Sequence, residues 1–316
     1  MTAQIHRYFQ ERGFSIVEPL GQGMEGAVYD LGGGRIGKVW FRRGTEELKT
    51  LQAFYRELES SRSPITFPEI FEVRRVGEQS VTIERKLSGD SLRQRLDAGT
   101  VSVEDGKACM LDVLAVLREI KVGSAARRLA VVDEGSALWS EEGIGWAQAL
   151  IGLMDRKVSR FRAQLQAVVT DFDAKYAQAR LQLERLPQTS VRAVHGDLVP
   201  ENVMVDADGR PVAVLDWGFL STAGDPAFEA ALAAALFDMY GTGARDAEED
   251  LLARIHESAG YGLERMRLYR AVYAMVTGNA YDPQGQDGHF AWCAASLNRE
   301  DIVGALSAEA DTADTL

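Results

Sequence analysis

The chain has 316 residues, 46% hydrophobic and 26% charged, a balance that fits a globular protein large enough for two lobes without covalent staples. A formal charge of -12 excludes general affinity for nucleic acid, because phosphate backbones need clustered Lys and Arg. Cys109 and Cys293 stand far apart in apolar surroundings, which predicts reduced, buried thiols in a cytoplasmic protein rather than a disulfide framework or a zinc site.

The opening stretch, MTAQIHRYFQERGF, lacks the basic flank and apolar run of an export signal. The longest apolar run, Ala227 to Tyr240, is broken by Glu229 and Asp238 and is too short to span a bilayer. Neither a membrane nor a protein partner is expected. His6, His195, His256 and His289 are scattered, so no histidine metal cluster is expected.

In chain order, residues 1–86 predict a β-rich lobe with one helix. Phe14–Leu20, Ala27–Leu31 and Arg35–Phe41 are short apolar runs, and Gly32-Gly33-Gly34 reads as a hairpin turn between the last two. Thr45–Leu58 carries Leu48, Leu51, Phe54, Tyr55 and Leu58 at helical spacing, and Glu69–Arg75 and Ser80–Arg85 read as strands. Residues 87–316 predict a mostly helical lobe. Val103–Ile120 is one helix, with Leu111, Leu114, Val116 and Leu117 on its apolar side, and long helical periodicity fills Gly145–Leu186. Short strands return at Arg192–Val194, Val203–Val205 and Val212–Leu215, followed by helices and a frayed acidic tail. The expected class is α+β, with two lobes meeting near Leu87–Asp90.

Gly21-Gln22-Gly23-Met24-Glu25-Gly26-Ala27-Val28 fits G-x-G-x-x-G-x-V, in which Gly21, Gly23 and Gly26 let backbone N–H groups approach phosphate oxygens. Alone, the pattern serves equally as a tight turn between strands. A dinucleotide fold would open a helix here, whereas Ala27-Val28-Tyr29 continues as a strand. A kinase arrangement wants a later strand bearing Lys, and Lys38 stands there to meet the α- and β-phosphates. Glu47 on the following helix is placed to pair with Lys38, with Glu46 as its alternative.

The most specific stretch is His195-Gly196-Asp197-Leu198-Val199-Pro200-Glu201-Asn202. Phosphoryl transfer needs a carboxylate to orient or deprotonate the attacking hydroxyl, and ligands for the ion that neutralises the phosphates. Asp216 ends the apolar run Val212–Leu215, where a lone carboxylate is costly to desolvate and magnesium is a natural partner. Separately, Asp197 could form a turn, Asn202 a cap and Asp216 a salt bridge; together they point to one site. His195 reads as a shaper of the turn.

H-G-D-L-x-P-x-N, then D-W-G and Gly224-Asp225-Pro226, resembles the aminoglycoside phosphotransferase and choline kinase-like family, which shares the protein-kinase fold. The resemblance covers Leu20 to Ala235. It implies Asp197 as catalytic base, Asn202 and Asp216 as magnesium ligands, Lys38 on the phosphates of ATP or GTP, and backbone contacts from Glu84 and Lys86 to the purine. The family often has Asp where this chain has Glu229, a departure expected to affect helix capping. Asp225-Pro226 begins only nine positions after Asp216, leaving no room for a protein kinase's peptide platform. The helical insert Val122–Pro187 lies where relatives keep substrate helices, so the expected partner is a small hydroxylated acceptor. Asp238, Tyr281, Asp282, Asp287 and Trp292 are candidates to line a cationic acceptor's site, with surface charge and core packing as the plainer reading. An aminoglycoside-type antibiotic is the first expectation. A metabolic kinase for choline, an amino alcohol, an amino acid or a sugar derivative comes second, and a non-catalytic nucleotide-binding module third.

Overall fold

The computed structural model describes residues 3–308 apart from 16, 24, 133–134 and 140–142; Met24 of the glycine motif and the acidic tail from 309 onward lie outside them. The chain opens with α1 (Ala3–Glu11), β1 (Glu18–Gln22), β2 (Gly26–Gly32), β3 (Arg35–Trp40), α2 (Thr45–Glu59), β4 (Ile70–Val76) and β5 (Gln79–Arg85). The five strands form one antiparallel sheet in the order β1-β2-β3-β5-β4. Gly32, Gly33 and Gly34 have φ of 71°, 58° and 73°, which a side chain resists, so the glycine run closes the β2–β3 hairpin. On α2, Leu48, Leu51, Phe54, Tyr55 and Leu58 are all buried, as their spacing predicts.

Helix α1 is a second helix in this region, where the sequence reading expects only one. Its Ile5 and Phe9, one turn apart, are buried, and Phe9 lies on Gly37, where a Cβ would fall 2.4 Å from the ring. With Tyr29, Leu31, Val39, Val81 and Ile83 they make a small core between α1 and the sheet.

Past the sheet come β6 (Asp90–Ser91), α3 (Leu92–Asp97), α4 (Val103–Leu117), α5 (Ser124–Arg128), α6 (Trp146–Val168) and α7 (Phe172–Arg185). Strands β7 (Arg192–Val194), β8 (Val203–Val205), β9 (Pro211–Val214) and β10 (Thr222–Gly224) follow. Helices α8 (Pro226–Leu236), α9 (Ala244–Ala259), α10 (Leu263–Thr277), α11 (Gly288–Leu297) and α12 (Glu300–Ser307) complete the order. The architecture is the expected two-lobed α+β one. On α4 the buried residues include Cys109, Met110, Val113 and Leu117, whereas Leu111, Leu114 and Val116 are only partly buried. The helix meets α8, β7 and β9 together, so its burial does not follow one stripe.

The larger core is continuous from α2 into the helical lobe. At the join, Trp217 meets Phe54 at 5.4 Å and Phe67 at 5.8 Å between ring centroids, both edge to face. Cys109 and Cys293 are buried and unpaired. Among the described residues no helix is long and apolar enough to cross a membrane.

Candidate active site

Strand β7 pairs with β10 and ends at Val194, so His195-Gly196-Asp197 follows directly from the strand end. Gly196 has φ of 77°, and a Cβ there would lie 2.6 Å from the Leu220 carbonyl oxygen, so only glycine makes this turn without strain. The His195 ring is fully buried against Trp217, at 4.5 Å between centroids. Its Nε2 meets the Leu215 carbonyl at 2.7 Å and its Nδ1 accepts the Asp197 N–H at 3.2 Å. That pairing makes Nε2 the protonated nitrogen, and burial lowers the imidazole pKa to about 4. His195 therefore ties the Asp197 loop to the strand that leads to Asp216.

Two further groups hold this loop. Ser221 Oγ donates to the His195 carbonyl at 2.8 Å and accepts the Gly218 N–H at 2.8 Å. Glu229, buried on α8, accepts the N–H groups of His195 at 2.7 Å and Gly196 at 2.9 Å through one carboxylate oxygen. The expectation that Glu229 caps a helix is corrected: Asp225 caps α8 by accepting the Ala227 N–H at 2.9 Å, and Glu229 anchors the loop. Asp225 also binds Arg265 and the Tyr269 hydroxyl, locking α8 to α10.

Asn202 donates from Nδ2 to the Asp197 carbonyl at 2.9 Å, fixing the five-residue spacing between them. Burial, helped by Asp216, raises the Asp197 carboxyl pKa to about 7. Asp216 itself has φ of 59°, a left-handed backbone uncommon outside glycine that is found at functional turns. Lys38, on β3, reaches Asp216 Oδ1 at 3.6 Å. Thus the structure brings Lys38, Asp197, Asn202 and Asp216 to one place.

Glu47 is the exception. Lys38 meets Glu25 of the glycine-rich loop at 3.2 Å, while Glu47, in the first turn of α2, meets Arg43 at 3.6 Å. Arg43 also binds Glu25, at 2.5 Å. Glu46 pairs with Lys49 at 2.6 Å on the surface and does not replace Glu47. The expected Lys38–Glu47 pair is therefore replaced by a chain of alternating charges, Glu47, Arg43, Glu25, Lys38 and Asp216. Neither Arg43 nor Glu25 carries a distinguishing sequence signal.

The expected purine-contacting backbone also needs correction. Glu84 lies inside β5 between Ile36 of β3 and Ile70 of β4, with its side chain buried beside Thr82 and Lys38. The Lys86 N–H donates to the Gly34 carbonyl at 3.0 Å, and its ammonium meets Asp30 at 2.5 Å. The sheet thus uses the Glu84 backbone and the Lys86 N–H. Of the loop glycines, Gly26 is packed: a Cβ would lie 2.4 Å from the Val39 carbonyl oxygen, whereas no described residue lies within 4 Å of one at Gly21 or Gly23.

On the acceptor side, Tyr281 stacks on Phe219 with 5.7 Å between centroids and 7° between planes. Asp282 accepts the Gln284 and Gln286 N–H groups at 2.9 and 2.8 Å, and Asp287 accepts the Phe290 N–H at 2.7 Å as the cap of α11. Asp282 is therefore committed to its turn through both oxygens, whereas Asp287 caps through Oδ1 and its buried Oδ2 has no hydrogen-bond partner among the described residues. Arg270 lies 3.7 Å above the Trp292 ring, and Asp238 sits beyond α8 beside a tight turn to Gly241.

As a metal pair, Asn202 and Asp216 offer oxygen alone. Asn202 Nδ2 is taken, which leaves Oδ1, and the Asp216 side chain is 56% exposed. Among the described residues no cluster of three or more His, Cys, Asp or Glu could hold an ion. Few hard oxygen donors, with room for phosphate and water, suit magnesium better than zinc or copper.

A β-rich lobe carrying a glycine loop and Lys38, over a helical lobe carrying Asp197, Asn202 and Asp216, is the arrangement of a kinase-type phosphotransferase. The chain belongs to the phosphotransferase enzyme family, whose sequence pattern spans residues 16–269. No curated protein matches it by sequence. Its fold is similar to that of the GDP complex of aminoglycoside 2'-phosphotransferase-IIIa (TM-score 0.60, 14% identity, 96% of this chain and 99% of that one). It is also similar to a Streptomyces rimosus aminoglycoside phosphotransferase in complex with ADP and streptomycin (TM-score 0.53, 16% identity, 88% and 99%). A third likeness is to macrolide 2'-phosphotransferase of Brachybacterium faecium (TM-score 0.56, 15% identity, 93% and 97%). At these identities the likeness is one of fold.

Proposed function

We propose that this enzyme moves the γ-phosphate of ATP or GTP to a hydroxyl of a small molecule, with Asp197 as the proton acceptor. The observation that carries this reading is the convergence of Lys38 on Asp216 at 3.6 Å, beside a carboxyl whose pKa is raised to about 7. Asp197 orients the acceptor hydroxyl and takes its proton, and a pKa near neutrality suits that task. Lys38 meets the phosphates, and Gly21, Gly23 and Gly26 bring loop backbone to them. Asn202 Oδ1 and Asp216 are the residues to hold magnesium, which when bound neutralises charge on the phosphates. The purine meets backbone next to Lys86; Leu87 makes no backbone hydrogen bond among the described residues. The two lobes divide near residues 86–87.

A cationic antibiotic of the aminoglycoside type is the acceptor this reading favours, since the chain is strongly acidic and shares its fold with enzymes so named. A metabolic acceptor with fewer amines is the second reading. It is favoured by the commitment of both Asp282 oxygens to a turn. Nucleotide consumption with magnesium, measured against aminoglycosides, macrolides and amino-alcohol and sugar metabolites, tests both. Turnover with a metabolite and none with any antibiotic would select the second. Nucleotide binding without transfer to any acceptor would leave a binding module instead.

A further inference from the structure

We propose that Arg43 is a second phosphate-binding cation, and that Glu25 occupies the place of a phosphate between Arg43 and Lys38 until a nucleotide displaces it. The proposal rests on the reading of this cleft as a nucleotide site.

The Glu25 carboxylate divides its oxygens between the two cations: Oε1 meets Arg43 at 2.5 Å and Oε2 meets Lys38 at 3.2 Å. A phosphate group offers the same spread of anionic oxygens, and a guanidinium fork suits it as well as it suits a carboxylate. Arg43 is seated where such a ligand would arrive. Its guanidinium lies against Gly218 of the Asp216-Trp217-Gly218 turn, where a Cβ would fall 2.4 Å from Nη1 and 2.5 Å from Nη2. Glu47 steadies it at 3.6 Å, and the Trp40 ring lies 5.3 Å from it.

Glu25 is the member free to leave. Its side chain is 35% exposed, whereas those of Arg43 and Lys38 are 14% exposed. Its backbone is pinned, because its carbonyl accepts the Phe41 N–H at 2.9 Å and the Gly23 N–H donates to the Gly26 carbonyl at 3.0 Å. Side-chain rotation alone therefore opens the two cations. With Glu25 in place its carboxylate adds to those of Glu47 and Asp216 around the two cations, with the Glu84 carboxyl buried beside Lys38, and repels a polyphosphate. Moving Glu25 aside removes one carboxylate from between Arg43 and Lys38, and the benefit grows with the number of phosphates offered.

Calorimetric titration of the full chain with AMP, ADP and ATP, or with the guanine series if that is what it binds, tests this. Glu25→Gln should tighten ATP about threefold to tenfold and change AMP less than about twofold. Arg43→Met should weaken ATP about tenfold or more, again sparing AMP, with Arg43→Lys between. Adding Glu25→Gln to Arg43→Met should recover little. Unchanged or weaker ATP binding in Glu25→Gln, or equal losses for AMP and ATP in both Arg43 variants, overturns the proposal. Should Arg43→Met fail to fold, Arg43→Lys and Glu25→Gln decide it. If the unaltered chain binds none of these nucleotides, the nucleotide-site reading falls and this proposal with it; unaffected variants of a chain that does bind sink this proposal alone.

Discussion

Glu229 accepts the backbone N–H of His195 at 2.7 Å from a position 34 residues further along the chain. The same oxygen takes the Gly196 N–H, so one side chain of α8 holds the turn that presents Asp197. Glu229→Ala leaves two buried donors unpaired, at about 1–3 kcal/mol each. It should lower stability in urea melts by roughly 2–5 kcal/mol and reduce kcat far more than it weakens nucleotide binding. A melting curve unchanged by this substitution would contradict the anchoring role.

Burial moves the Glu229 carboxyl from 4.5 to about 7, against the pull of its two backbone donors. A folded-state pKa above the unfolded one gives stability that is fully present below about pH 4.5 and lost as pH rises through about 7. The shift corresponds to on the order of 3 kcal/mol. Asp197, raised in the same direction, adds to the effect. Glu229→Gln keeps an acceptor for the two N–H groups and cannot ionise, so its urea-melt stability should fall less than that of the unaltered chain between pH 5 and pH 8. Parallel pH curves for the two proteins would refute the assignment.

For catalysis, the raised pKa of Asp197 predicts an acid limb in kcat/KM with a midpoint near 7 in the free enzyme. Asp197→Asn should cut kcat by at least ~10²-fold while nucleotide affinity changes little. A rate that stays flat from pH 5 to pH 9, or near-normal turnover in the variant, removes Asp197 from the proton-accepting role.

The loop glycines separate into two kinds. Gly26→Ala puts a Cβ 2.4 Å from a backbone oxygen and should cost about 1–3 kcal/mol of stability. Gly23→Ala meets none of the described residues within 4 Å and should melt normally, yet raise the Kd for ATP by blocking close approach of phosphate. Thermal melts paired with ATP titrations distinguish them. If Gly23→Ala binds ATP as well as the parent, that stretch of the loop does not approach the phosphates.

Buried in the sheet lobe, the Thr82 hydroxyl accepts from Trp40 Nε1 at 2.9 Å and donates to Glu84. Thr82→Val keeps the shape and strands both partners, at a cost of about 2 kcal/mol. Because burial raises the Glu84 pKa, and Thr82 opposes that rise, the loss should be larger above neutral pH than at pH 5. Equal losses at both pH values would show that Glu84 does not change its protonation between them.

The sequence disclosed what is local. The turn at Gly196, the Asp197–Asn202 spacing and the strand ends around them depend on neighbouring residues, and so does the Gly32–Gly34 hairpin. The order of glycine loop, turn and Lys-bearing strand was enough to place Lys38. Partner choice was not legible: whether Glu47 meets Lys38 or Arg43 depends on how the link from β3 to α2 returns, and Arg43 lies four residues from Glu47 with an ordinary local signal. The role of Glu229 was hidden for the same reason, since its partners lie far away in the chain. Glu84 lies inside the expected strand, and the Lys86 N–H carries the pairing one residue past Arg85, so the sheet takes groups expected for the purine.

Trp217 sits immediately after Asp216 and is wedged between Phe54 and Phe67, two residues of the sheet-bearing half. Pulling the halves apart as a clamshell would bring that indole into water and forfeit the hydrophobic contact of a large aromatic, on the order of 2 kcal/mol or more. The wedge works as a rivet through the joint. Asp216, the next residue in the chain, thus takes its bearing on Lys38 from a side chain gripped by both halves.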